Sequence, residues 1–114
     1  MNKTLLLSVL ALCGSLAGVH AEEKKNVLMI AGRPSHGPGE HEHNAGIQLL
    51  AAGLQQGAAD RVTVTVSLGG KWPSEDVVAK ADTIVIYSDG GGGHPALPHL
   101  DQLAKKMAAG CGFV

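Results

Sequence analysis

The sequence lacks three features, and each absence removes a class of protein. It holds no apolar run long enough to cross a bilayer, because the stretch 5–12 falls far short of the roughly 20 residues a membrane helix needs. It holds no cluster of basic side chains. Lys24-Lys25 and Lys105-Lys106 are the only adjacent pairs, whereas a surface that tracks nucleic-acid phosphates gathers many on one face, so no nucleic-acid partner is expected. It is also poor in cysteine, with two in the whole chain. Cys13 falls in a leader, so Cys111 alone remains, an internal disulfide is excluded, and the domain must be held by its core.

The leader is read from the first residues. Lys3 precedes the apolar stretch 5–12, small residues follow, and Val19-His20-Ala21 forms an A-x-A-like cleavage site. That pattern is a secretory signal peptide over 1–21, cut after Ala21, with export to a periplasm or the outside. Leu12 is bulkier than the residue lipoprotein processing wants before a cysteine, which argues against a lipid anchor on Cys13. The mature chain, 22–114, carries eight basic and ten acidic residues, a formal charge of −2 with neutral histidines. About ninety residues make one small domain, which buries a smaller share of its surface than a larger one and is correspondingly marginal. Residues 111–114 read as the start of a further strand after a helix ending at Gly110, so the chain is expected to be the N-terminal part of a longer domain.

Val27, Leu28, Met29, Ile30 and Ala31 form an unbroken apolar run, the pattern of a parallel strand buried on both faces. Asn44 is placed to cap a following helix in which Ile47, Leu50 and Leu54 recur at helical spacing, stopping near Gly57. Residues 61–68 alternate Val62, Val64 and Val66 with Thr63, Thr65 and Ser67, the period of a strand with one less buried face, at or near a sheet edge. Ser74, Glu75 and Asp76 open a short helix. Residues 83–87 are a third apolar strand, and a helix over about 97–109 carries Leu100, Leu103 and Met107 on one side. Strands alternating with helices predict an α/β fold with a doubly wound parallel sheet.

Two strand-end loops stand out. The first, RPSHGPGEHEHN at 33–44, packs three histidines and two carboxylates behind the first buried strand. Ligands of open α/β sheets bind outside the carboxyl ends of the strands, where this loop lies. His36, His41 and His43 offer donors for a divalent metal such as zinc, iron or manganese, although H-E-H matches no established metal motif. The same residues serve equally as substrate contacts or proton-transfer groups, with Glu40 as a candidate general base, or as polar residues opening a helix, where Glu40 and Glu42 suit the positive end of the helix dipole. The second loop, SDGGGGHP at 88–95, follows the third strand. Gly90, Gly91, Gly92 and Gly93 leave the backbone free to expose N–H groups to an oxyanion, and Asp89 and His94 can orient a ligand or exchange protons with it. No Gly-Lys-Ser/Thr follows, so this is not a phosphate-binding P-loop. His99 reads as a surface or packing residue and Trp72 as a cover for the sheet edge. Cys111 sits where a strand begins, away from the strand-to-helix elbow that activates a thiol, and reads as core.

NVLMIAG at 26–32, PSHGPGEHEHNAG at 34–46, GKWP at 70–73 and ADTIVIYSDGGGGHP at 81–95 together resemble the ThuA-like domains, named after trehalose utilisation, within the class I glutamine amidotransferase-like superfamily. The resemblance spans essentially the whole mature chain. It implies a flavodoxin-like sheet, of which this chain covers the N-terminal part. In the superfamily's amidotransferases the glycine-rich loop after the third strand helps form an oxyanion hole, and 90–93 occupy the matching place. Their catalytic cysteine sits in an elbow after the next strand. Cys111 does not match it, and ThuA-like domains generally lack the Cys-His-Glu set, so glutamine hydrolysis is not implied. The family's link to sugar metabolism implies a small-molecule, carbohydrate-derived ligand. Three readings stay open: an enzyme, a module that binds without turnover, and a fragment inactive outside a longer protein.

Overall fold

The computed structural model describes residues 22–114. The leader expected over 1–21, with Cys13 and the cut after Ala21, lies outside the described residues. Along the chain come β1 (Lys25–Ala31), α1 (His43–Ala58), β2 (Val62–Ser67), α2 (Glu75–Lys80), β3 (Thr83–Tyr87), α3 (Leu100–Ala108) and β4 (Gly112–Phe113). Two 3₁₀ turns, Gly91–Gly93 and Leu97–His99, link β3 to α3. The strands pair in the order β2-β1-β3-β4, every pair parallel. This is the α/β arrangement of the first four strands of a flavodoxin-like sheet, whose order begins 2-1-3-4.

Because side chains alternate across a strand, β1 feeds two separate cores. Val27, Met29 and Ala31 pack with Ile47 and Ala51 of α1 on one face, while Leu28 and Ile30 pack with Val78, Ala81, Ile84, Ala96 and Leu103 on the other. A strand covered on both sides has no solvent-facing position for a polar residue, hence the unbroken apolar run. Burying side chains such as Leu28 and Ile30 is worth about 1.5–3 kcal/mol each. In β2, Val62 and Val64 join the α1 face, while Thr63 and Thr65 are exposed at the outer edge of the sheet. Cys111 is half-buried and packs against the core on the α2 side, with its thiol donating to the Gly112 carbonyl at 3.4 Å. Among the described residues no helix is long and apolar enough to cross a membrane.

Three local expectations change. The buried stripe of α1 is His43, Ile47, Ala51 and Ala58, with Leu54 packed against it, and Leu50 is exposed. Leu50 lies three residues from Ile47 at the margin of the stripe, and small alanines let the helix sit close to the sheet. Asn44 does not cap α1, which begins one residue earlier. Its Oδ1 instead accepts the Gly69 N–H at 2.8 Å, tying α1 to the turn after β2. The last helix starts at Leu100 behind a 3₁₀ turn, and of its apolar residues only Leu103 is buried, Leu100 and Met107 being exposed.

α1 covers one face of the sheet, and α2 lies on the opposite face. The chain leaves β1 toward β2 on one side and finds β3 on the other, so the winding reverses between β1 and β3. A crevice opens at such a switch point, beyond the carboxyl ends of the strands. Ala31 and Tyr87 are partners in register there, so the loops that follow them emerge side by side.

Candidate functional site

The close exit of the two loops depends on Gly32. Its N–H donates to the Tyr87 carbonyl at 2.8 Å, and a Cβ on Gly32 would lie 2.5 Å from Ser88 Oγ and 3.0 Å from Ser88 Cα. Only glycine lets the two backbones approach this closely. The first loop then folds on its own carboxylates. Glu40 accepts the Gly37 N–H at 3.1 Å and Glu42 accepts the Gly39 N–H at 2.7 Å. This returns the chain so that α1 begins with His43 against the sheet.

At the meeting point one carboxylate oxygen faces two imidazoles. Asp89 Oδ1 lies 2.9 Å from His41 Nδ1 and 3.4 Å from His43 Nε2. Ser35 Oγ lies 3.1 Å from His36 Nδ1 and 3.3 Å from His41 Nδ1. The His36 and His41 rings meet edge to face at 4.0 Å between centroids, and His43 meets Tyr87 in the same manner at 5.3 Å. His43 is buried, whereas the His41 side chain keeps 45 % of its surface exposed and His36 is exposed too, so an entering ligand can reach His41 and His36 but not His43. The Asp89 carboxyl is held below its ordinary value of 3.8 chiefly by a hydrogen bond from Ser35; burial opposes this, and the charges of His41, His43 and His36 add to it. Asp89 is therefore a carboxylate at neutral pH.

The proton positions follow from the acceptors. His43 Nδ1 lies 3.1 Å from the Arg33 carbonyl, which can only accept, so Nδ1 carries a proton, while Nε2 stands off the Asp89 carboxylate at 3.4 Å, longer than an ordinary N–H···O bond. In His41 the Nδ1–H donates to Asp89, which leaves the Nε2 lone pair available to a ligand. A cleft of about 200 Å³ lined by His36, His41, Glu42 and His43 opens beside them. His36, His41 and Asp89 also present three donor atoms within 4.8 Å of one another. Two imidazole nitrogens and one carboxylate oxygen suit zinc or a similar borderline ion. This trio exchanges His43 for Asp89 relative to the three histidines expected, because His43 is committed to the Arg33 carbonyl.

Of the residues singled out in the sequence, His36, His41, His43 and Asp89 come together. Glu40 turns to the loop's own backbone. His94 stands apart: its Nδ1 accepts the Ala96 N–H at 3.3 Å, and with Gly92 and Gly93 it lines a second cavity, of about 290 Å³. Gly91 takes a positive φ of 71° and its carbonyl accepts the His94 N–H, so Gly91, Gly92 and Gly93 form an ordered 3₁₀ turn, with Gly90 extended before it. Ser35, Arg33 and Tyr87 were given no role by sequence reasoning. Ser35 offers a short hydroxyl between two ring-bearing residues at a strand end, the one signal that could have marked it. A larger groove of about 780 Å³ runs past Trp72 and His99, which stack at 4.6 Å with 8° between their planes; Glu75, His99, Asp101 and Lys105 line it, but they form no ion pair with one another, unlike the His41–Asp89 pair. Trp72 packs on the core and donates from Nε1 to Gln102 at 2.8 Å, so it serves the fold, as does His99.

Comparisons with family models, with curated proteins and with solved structures find no match to this chain.

Proposed function

We propose that the chain is an exported ThuA-like domain that binds or processes a small carbohydrate-derived molecule at the cleft beside His41 and Asp89. The observation that carries this reading is the pair formed by His41 Nδ1 and Asp89 Oδ1 at 2.9 Å, next to an open cleft. A carboxylate behind an imidazole holds one tautomer and stabilises the cation that forms when the outer nitrogen takes a proton. His41 Nε2 is then the general base for a ligand hydroxyl or for a carbon acid next to a carbonyl, with Asp89 as the group that positions it. General-base assistance of this kind contributes about 10²–10⁴-fold to a rate. His36 and Ser35 add donors and acceptors suited to a polyol. The sugar class comes from the motif resemblance, and the leader read over 1–21 supports export.

A second reading adds a divalent ion held by His36, His41 and Asp89, favoured by the closeness of their donor atoms. Such an ion would supply Lewis-acid polarisation of a ligand oxygen.

Saturation-transfer NMR of the full chain with trehalose and with a keto-disaccharide tests the principal reading. Saturable binding is expected, abolished by Asp89→Asn and by His41→Ala with the fold intact by circular dichroism. Product formation lost in the same variants marks an enzyme, and binding without product marks a receptor-like module. Absence of saturable binding to a folded wild-type chain overturns the reading.

A further inference from the structure

We propose that Arg33 and His94 form an oxyanion subsite beside the His41–Asp89 cleft, so that the ligand carries a carboxylate or a phosphate group. This deepens the proposed function and rests on it only for the neutral part of the ligand.

Arg33 leaves β1 directly after Gly32 and divides its two ends between the two cavities. Its carbonyl receives His43 at 3.1 Å. Its side chain crosses to the second loop, where a Cβ on Gly93 would lie 2.8 Å from a terminal guanidinium nitrogen and 3.2 Å from both Cζ and Nε. Three atoms of the fork at nearly equal distance place its face against Gly93, and the missing side chain makes room for it. A guanidinium resting by its face keeps its N–H edge for a ligand.

Among the described residues that edge has no protein partner: no carboxylate lies within ion-pair distance of Arg33, and its side chain makes no hydrogen bond. The cavity of about 290 Å³ that Arg33 lines with Trp72, Gly93, His94 and His99 contains no acidic side chain, although the mature chain has more acidic than basic residues. His94 adds a donor. Its Nδ1 accepts from the Ala96 N–H, which leaves the ring proton on Nε2. A planar guanidinium fork with a neighbouring imidazole N–H matches the two or three oxygens of a carboxylate or phosphate, and Arg pairs with either in bidentate fashion. The Gly93 contact supplies a way to move the fork without removing its charge.

Isothermal titration of the full chain with glucose, gluconate, glucose 6-phosphate and inorganic phosphate at fixed ionic strength tests this. The anionic sugars are expected to bind at least about tenfold more tightly than glucose, the scale of one charge-assisted pair. Gluconate against glucose 6-phosphate tells which oxyanion the subsite takes. Arg33→Gln is expected to erase the preference by bringing the affinity for both anionic sugars down to that for glucose, and Gly93→Ala to weaken it by displacing the fork. Asp89→Asn is expected to abolish glucose binding yet spare that of inorganic phosphate. Equal affinity for glucose and both anionic sugars, or an anion preference that survives Arg33→Gln, overturns the subsite. Arg33-dependent binding of inorganic phosphate with no binding of any sugar supports the subsite and overturns the carbohydrate reading.

Discussion

The ring of His43 is suspended between the Arg33 carbonyl, 3.1 Å from Nδ1, and the Asp89 carboxylate, 3.4 Å from Nε2. It is the one buried polar side chain among the described residues, and it ties the first residue of α1 to both strand-end loops. Removing it in His43→Ala strips the Arg33 carbonyl of its donor and leaves space against Tyr87. Loss of a buried hydrogen-bonding partner costs about 1–3 kcal/mol. The variant is expected to lower the unfolding free energy by that amount, read as a lower urea midpoint at an unchanged m-value, since the chain still unfolds as one domain. Nitrogen-15 NMR of the wild type is expected to show His43 protonated at Nδ1, and a proton only on Nε2 would contradict the assignment.

Asp89 gives the acid response of the domain its sign. The folded carboxyl is held below the ordinary 3.8 by the Ser35 hydrogen bond first, with burial opposing and the His41, His43 and His36 charges adding. A group lowered in the folded state binds fewer protons there than in the unfolded chain. Its stabilisation is present in full above the unfolded value and is lost as pH falls through the lowered folded one. Asp89→Asn removes this contribution, so its stability is expected to fall less steeply than that of the wild type between about pH 5 and about pH 2. Urea midpoints across that range provide the check. Ser35→Ala, which deletes the largest cause, is expected to fall between the two, and parallel profiles for wild type and Asp89→Asn would refute the assignment.

Gly32 is a packing requirement for the site. A Cβ there meets Ser88 Oγ at 2.5 Å and Ser88 Cα at 3.0 Å, and the second of these is backbone that cannot swing aside. Gly32→Ala must push β1 and β3 apart at their carboxyl ends. Overpacking of this kind costs about 1–3 kcal/mol. Because the displaced segment begins the loop of Asp89, the variant is also expected to weaken ligand binding more than a substitution of equal stability cost on α2. Comparing affinity with the thermal midpoint for both variants separates the local effect from the global one.

The parts of the fold legible in the sequence are those governed by local periodicity. Val27 to Ala31 in unbroken apolar sequence could only be a strand with two covered faces, and the Val/Thr alternation of β2 placed it at an edge. Leu50 failed because a three-residue step and a four-residue step from Ile47 both look helical, and which one faces the sheet is decided by contact with β1 and β2. The site was legible in part for the same reason. Ala31 and Tyr87 end neighbouring strands, so the loops had to meet. Yet the division of labour inside them, with His41 on Asp89 and His94 on the far side of Arg33, depends on turns shaped by Glu40, Glu42 and Gly91, which carry no periodic signal.

A metal titration distinguishes the two versions of the chemistry. If an ion joins His36, His41 and Asp89, its binding adds to the stability of the folded chain by linkage, about 2.7 kcal/mol at a free concentration a hundredfold above Kd. The thermal midpoint of the metal-free full chain is then expected to rise with added Zn²⁺ or Mn²⁺, and the rise to vanish in His41→Ala and in Asp89→Asn. His43→Ala is expected to retain most of it, because His43 spends its Nδ1–H on the Arg33 carbonyl and lies outside the trio. Binding is also expected to weaken on acidification, since a protonated imidazole has no lone pair to give. A midpoint unmoved by metal, together with ligand binding that needs His41, leaves the imidazole–carboxylate pair to act alone. A rise that survives both substitutions places the ion elsewhere in the chain.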